Sequence, residues 1–204
     1  MTLERKIAKN LLEIEAVALR PNDYFTWTSG IKSPIYCDNR ITMSYPKIRR
    51  EIAAGLSEVI KKNFPEVEVV AGTATAGIPH AAWVSEVLDL PMIYVRDSAK
   101  KHGKTNQIEG RLLEGQKVVI IEDLISTGLS SLKVAKALEE AGAVVLGVVA
   151  IFSYELKKAQ DAFAADKVEY YTLTNYNFLI EEAVASNYIK QEDVEKLLEC
   201  RNNL

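Results

Sequence analysis

The feature that most constrains this chain is an alternation. Between residues 67 and 173, short runs rich in Val, Ile and other β-favouring residues occur at 67–71, 92–95, 117–121, 144–151 and 168–173, and helical patterns separate them at 78–88, 129–141 and 154–165. Parallel strands cannot be joined by a tight turn; each needs a long crossover, and helical spacers of this length supply one. The alternation therefore predicts an α/β fold, a central parallel sheet flanked by helices on both faces.

The remaining segments fit around that sheet. Leu3, Ile7, Leu11, Ile14 and Ala18 recur at helical spacing, so an amphipathic helix is expected to run until Pro21 breaks it. The stretch "NDYFTWTSGIKSPIYCDNR", residues 22–40, has no helical period and reads as short antiparallel strands and loops forming a cover. A helix with Pro46 in its first turn follows over 46–62, presenting Ile48, Ile52, Leu56 and Ile60 on one face, and helical patterns at 177–186 and 191–200 close the chain. No repeat, low-complexity tract or Gly/Ser/Pro-rich linker interrupts the 204 residues. A single domain is expected, with residues 1–45 as N-terminal helix and hood subdomain and 46–204 as the α/β core.

Charge and cysteine content exclude several functions. A net charge of −3 gives no broad basic field for nucleic acid, and the two cysteines, Cys37 and Cys200, have neither disulfide-framework nor zinc spacing. The first twenty residues alternate charged and apolar side chains, unlike a signal peptide or a membrane span. A cytoplasmic protein that binds neither nucleic acid nor membrane is the expectation.

Three segments carry chemistry. In "VVIIEDLISTGLSS", residues 118–131, an apolar run stops at Glu122 and Asp123 and passes into a turn of Leu124, Ile125, Ser126, Thr127, Gly128, Leu129 and Ser130. In a parallel α/β sheet, ligands bind beyond the carboxyl ends of the strands. Backbone N–H groups, three hydroxyls and a helix start could hold a phosphate there, while the acids face sugar hydroxyls or Mg²⁺. The structural alternative is a capped strand-to-helix turn with solvated acids. "AGTATAGIPHAA", residues 71–82, is a second glycine-bearing strand-to-helix junction suited to a diphosphate. Gly72 and Gly77 have Walker A spacing, but Ile78 and Pro79 stand where Lys and Ser/Thr would be, which excludes a nucleotide triphosphatase. His80 reads as a packing or capping residue. "VRDSAKKHGKTNQIEG", residues 95–110, gathers Arg96, Lys100, Lys101, His102 and Lys104 in a loop that an anion would order, the alternative being a solvated charged loop.

Together these segments resemble a known family. "VVIIEDLISTGLSS" is similar to the 5-phosphoribosyl 1-diphosphate (PRPP) signature of type I phosphoribosyltransferases, and "FTWTSGIKSPIYCDNR" with "RDSAKKHGK" is similar to the orotate phosphoribosyltransferases. The resemblance runs over most of residues 24–151. It implies the type I phosphoribosyltransferase fold and the conversion of orotate and PRPP, with Mg²⁺, to orotidine 5′-phosphate and pyrophosphate. It also implies a homodimer in which each loop covers the neighbour's site. Lys100, His102 and Asp123 are then the catalytic residues. PRPP falls to Arg96, Lys100 and His102 in the loop and to Glu122, Asp123 and residues 124–130 at the turn. His102 would act by charge on the departing diphosphate, with proton donation as the alternative. Mg²⁺ would be held mainly by PRPP, with Asp123 as a candidate ligand.

This chain departs from one bacterial branch of that family at Thr28, Thr75, Ala76 and Asp97, and at Tyr154, near where an orotate-binding Arg stands. Ser126, Lys32, Tyr36 and Arg40 are therefore the candidates to bind orotate. Two rival readings share the acidic turn. A purine phosphoribosyltransferase should lack the "TSGIKSPIY" hood, and a PRPP-sensing regulator should add a basic helix-turn-helix.

Overall fold

The structure, a computed structural model, describes residues 1–26, 30, 32–97 and 107–203. Helix α1 (Leu3–Glu13) leads into β1 (Val17–Leu19), β2 (Phe25–Thr26), β3 (Lys32–Ser33), β4 (Ile35–Cys37) and a 3₁₀ turn, Asn39–Ser44. Then come α2 (Pro46–Asn63), β5 (Val69–Thr73), α3 (Gly77–Leu88), β6 (Met92–Val95), β7 (Ile108–Glu109) and β8 (Lys117–Ile125). The chain continues through α4 (Leu129–Glu140), β9 (Val144–Ser153), α5 (Lys157–Asp166), β10 (Tyr170–Asn175), α6 (Tyr176–Ala185) and α7 (Val194–Asn202).

The central sheet has six strands in the order β10-β9-β8-β5-β6-β7, parallel except for β7, which runs antiparallel to β6. Successive side chains of a strand point to opposite faces, and the apolar strands feed two cores accordingly. Val119 and Ile121 of β8 join Val70, Val149 and Ile151 under α1, α2, α3 and α6. Val118 and Ile120 join Val69, Ala71, Val148 and Ala150 under α4 and α5. Each fully buried Val or Ile contributes about 1.5–3 kcal/mol relative to exposure, so covering both faces is what holds these near-continuous apolar runs in place. Ile7, Leu11, Val17 and Ile35 of the N-terminal segment belong to the first of these cores.

From β5 the chain builds outward through β6 and then returns to lay β8 on the opposite side of β5, after which β9 and β10 build outward in the other direction. This reversal opens a crevice beyond the carboxyl ends of β5 and β8, the usual ligand position in such sheets. The hood supplies the crevice with a cover: β1 pairs antiparallel with β4 and β2 with β3, as its turn-rich sequence leads one to expect.

Several boundaries differ from the sequence expectation. Helix α1 stops at Glu13, not near Ala18, because Glu15 adopts a left-handed conformation (φ 56°) and Val17 and Leu19 alternate as buried residues of a strand. β5 begins two residues later than the apolar run, since the Val67 N–H closes a turn onto the Phe64 carbonyl. β10 also starts late, at Tyr170, because Lys167 ends α5 in a left-handed conformation. Helix α5 begins at Lys157, not Tyr154, because Tyr154 is buried and Glu155 has φ 56°. The largest difference concerns β8, which runs through both acids to Ile125, although the apolar run ends at Ile121. Among the described residues, no helix is long and apolar enough to cross a membrane, and Cys37 and Cys200 are free thiols.

Candidate active site

The acids lie where β8 outlasts one of its neighbours. Its last pair with β5 is Gly72↔Ile121, whereas pairing with β9 continues through Glu122↔Ala150 to Ile125↔Ser153. Alternation directs Glu122 to the α4 face, where it is only 5% exposed and its Oε2 accepts from Ser131 Oγ at 3.1 Å. Its Oε1 accepts from the Asp123 N–H at 3.1 Å. Burial, and then the charge of Asp123, push the Glu122 carboxyl up to about 8. Asp123 falls on the opposite face, toward the hood, and is partly exposed. Desolvation raises its pKa also, and the nearby Arg40 charge opposes that rise. The two acids face different elements but act as a pair: a hydrogen bond between their side chains raises the buried Glu122 carboxyl and favours the charge on Asp123, the acid that reaches the crevice.

The turn after β8 is open for an anion. Gly128 adopts φ 78° as N-cap of α4, and a Cβ there would collide with the Phe163 ring at 2.7 Å, so only glycine fits. No side chain caps this helix, which leaves its first N–H groups facing the turn of Ser126 and Thr127, half-buried, and Leu129 and Ser130, exposed. The β5–α3 junction alongside is built similarly. Gly77 packs against the Ile121 carbonyl where a Cβ would overlap it, α3 has no side-chain cap, and the buried Thr73 Oγ1 has no hydrogen-bond partner. The Ala74–Thr75 peptide is cis. Two uncapped helix starts thus flank the crevice.

On the hood side, Tyr36 is 43% exposed with its ring 5.7 Å from Phe25, and Lys32 is exposed on β3. Arg40 grips Asp38 through two bonds of 2.6 and 2.8 Å, which holds the Asp38 carboxyl below the usual range. Arg96 lies at the base of a hairpin. Its N–H donates to the Gln107 carbonyl at 2.9 Å, its own carbonyl accepts from Gln107 Nε2 at 2.7 Å, and its guanidinium is 3.4 Å from Glu109. Lys133 of α4 donates to the Asp97 carbonyl at 2.6 Å, tying the same base to α4. Lys100 and His102, like Thr28, lie outside the described residues.

With this geometry in view, comparison with known proteins is decisive. Residues 44–187 match the phosphoribosyl transferase domain family. The orotate phosphoribosyltransferase of Enterococcus faecalis (strain ATCC 47077 / OG1RF) is 64% identical over 199 residues, 98% of this chain and 95% of that protein, so the likeness includes the hood. The chain belongs to the orotate phosphoribosyltransferase family. The orotate phosphoribosyltransferase of Listeria innocua is 62% identical over 203 residues, covering 100% of this chain and 97% of its own length. Among solved structures, the orotate phosphoribosyltransferase from Aeropyrum pernix superposes with a TM-score of 0.78 at 28% identity, over 90% of this chain and 99% of its own.

Beside the family's acidic turn, Ser131 and Asn39, which sequence reasoning passed over, belong to the site, as does Tyr154, noted in the sequence only as a departure from one branch of the family. Ser131 reads as one more helix serine, yet it is buried against Glu122. Asn39 is fully buried and its Nδ2 donates to the Asp123 carbonyl at 2.7 Å. Tyr154 is 4% exposed, packs edge-on against Phe152 at 5.6 Å, and its hydroxyl is held protonated by burial. His80 is buried edge-on to Trp83, and burial lowers its pKa to about 4. It packs as a neutral ring.

The environment of Glu122 sets a pH dependence on stability. Its folded pKa, about 8, lies above that of an unfolded carboxyl, so the folded chain keeps a proton that the unfolded chain releases. This contribution is complete below about pH 4.3 and is lost as pH rises through about 8. Glu122→Gln, neutral at every pH, should match wild type in urea unfolding near pH 4.5 and exceed it by a few kcal/mol at most near pH 8.5, given about 1.4 kcal/mol per pH unit. A difference that does not change with pH would mean that Glu122 is ionised in the fold.

Proposed function

We propose that this chain transfers the 5-phosphoribosyl group of PRPP to orotate, releasing diphosphate and giving orotidine 5′-phosphate, as a cytoplasmic step of UMP synthesis. The observation that carries this reading is the partly exposed Asp123 beside the uncapped start of α4, beneath a hood shared with close orotate phosphoribosyltransferase relatives. The ribose 5′-phosphate takes the N–H groups and hydroxyls of the 126–130 turn, where the helix dipole favours an anion. Asp123 orients the ribose hydroxyls and, as the C1–diphosphate bond breaks, its charge faces the positive charge growing on the ribose ring. Glu122 supports it from beneath, held by Ser131. The diphosphate lies toward the 73–77 junction and receives Arg96, Lys100 and His102. Cations aimed at a leaving anion lower the barrier more than they strengthen substrate binding.

Orotate enters under the hood against Tyr36, within reach of Lys32, Arg40 and Ser126. Tyr36 offers an exposed ring face for the pyrimidine, while Arg40 reaches a carboxylate only by sharing or releasing Asp38. Among the described residues, no cluster of three or more His, Cys, Asp or Glu could cage a metal. The acids present suit an ion carried largely by the diphosphate oxygens, with Asp123 as its protein contact. Asp123 would hold a PRPP-borne Mg²⁺ there, which would supply charge neutralisation for the leaving diphosphate.

The direct test is a panel of orotate, uracil, hypoxanthine and guanine with PRPP and Mg²⁺, following nucleotide and pyrophosphate formation. Turnover should be confined to orotate and abolished by excess EDTA. Turnover of a purine, or an equal rate in EDTA, would overturn the reading.

The proposal extends to a homodimer in which Lys100 acts on the neighbouring subunit's PRPP. Lys100→Ala and Asp123→Ala should each lose on the order of a hundredfold in turnover. Unfolded and refolded together, they should regain about a quarter of wild-type activity, because about half the dimers are hybrids with one intact site. No recovery despite demonstrated subunit exchange would mean that Lys100 serves its own subunit.

A further inference from the structure

Beyond Ile121, β8 no longer has β5 as a partner, so buried backbone groups on that stretch must find other donors and acceptors. At Asp123 a donor comes from the hood, where Asn39 Nδ2 donates to the carbonyl at 2.7 Å. Asn39 is fully buried and begins the 3₁₀ turn Asn39–Ser44. Thr42 Oγ1 donates to the Asn39 carbonyl at 2.6 Å, and Asp38 caps the same turn by accepting the Arg40 N–H at 3.2 Å. The amide's orientation is fixed, because turning it over would set Oδ1 against another carbonyl oxygen.

Oδ1 itself is buried without a hydrogen-bond partner. An apolar side chain of similar volume would fill the space without that unsatisfied acceptor, so the amide is accounted for by its donor. That donor holds the peptide of the one acid that reaches the crevice. We propose that Asn39 is a positioning residue for phosphoribosyl transfer, clamping the Asp123 peptide so that the packed hood sets the aim of the carboxylate. The inference rests on the reaction proposed above. Asp123 orients the ribose hydroxyls in the ground state, but the charge it opposes is greatest as the bond to diphosphate breaks, so misaiming it costs more transition-state stabilisation than substrate binding.

Three variants test this: Asn39→Asp, which keeps the shape and replaces the donor by an acceptor; Asn39→Leu, which fills the space; and Thr42→Val, a milder change that loosens the turn. With orotate and PRPP, the Asn39 variants should lose on the order of ten- to a hundredfold in kcat. KM for both substrates should stay within about threefold, and the Thr42 variant should lose about threefold in kcat with the same pattern. Urea unfolding of each protein identifies those that are folded in the assay. Wild-type kcat in a folded Asn39 variant, or a loss confined to KM for orotate, would overturn the proposal. If neither Asn39 variant folds, unchanged kcat in Thr42→Val overturns it. Wild-type protein inactive toward orotate would overturn the reaction itself, and this role of Asn39 with it.

Discussion

The structure depends on a mismatch in strand length. β8 is held by β9 through Ile125 but leaves β5 at Ile121, so its last turn of chain is a strand on one side and an open edge on the other. Polar residues would ordinarily end a strand buried in a parallel sheet. Here the β9 ladder carries Glu122 and Asp123 onward, and the reversal of strand order at β5 gives them a crevice to border. Gly77 packs against the Ile121 carbonyl, closing the floor of that crevice with backbone where any Cβ would intrude.

The two neighbouring carboxyls remain in contact and divide one proton unevenly, Asp123 raising the Glu122 carboxyl and Glu122 favouring the Asp123 charge. Glu122, turned under α4 against Ser131, is kept neutral by burial and by its neighbour. Asp123, turned toward the hood, remains the acid of the crevice, with Arg40 favouring its charged form. A strand that ended at Ile121 would leave both acids solvated in a flexible turn. The extended strand makes one a support and the other a group of defined direction.

The fold was legible from the regular spacing of apolar runs, because a periodicity of two or 3.6 is a local property that burial imposes on sequence. The serine-rich turn was legible as a strand-to-helix junction because Gly128 and its hydroxyl neighbours are a local pattern, whereas the absence of a side-chain cap on α4 emerged only in the structure. What was hidden is long-range. Pairing with β9 extends β8 through residues whose polarity signals a stop. Glu15 ends α1 in a left-handed conformation that no glycine announces. Asn39 reaches Asp123 across 84 positions of sequence, and such a contact leaves no periodic trace in either segment. Lys100 and His102, legible as cations of a charged segment, are outside the described residues, and their role rests on the family's pattern.

Asp123 is carried to the ligand edge by the strand without being needed to build it. Asp123→Asn keeps the size and removes the charge, so its urea unfolding and its kcat with orotate and PRPP, measured on the same preparation, separate the two roles. Stability should stay within about 1 kcal/mol of wild type, as expected for a change that leaves the strand's own bonds in place. Turnover should fall by on the order of a hundredfold or more. A variant that unfolds, or one that turns over at the wild-type rate, would contradict it and make the acid a structural end of the strand.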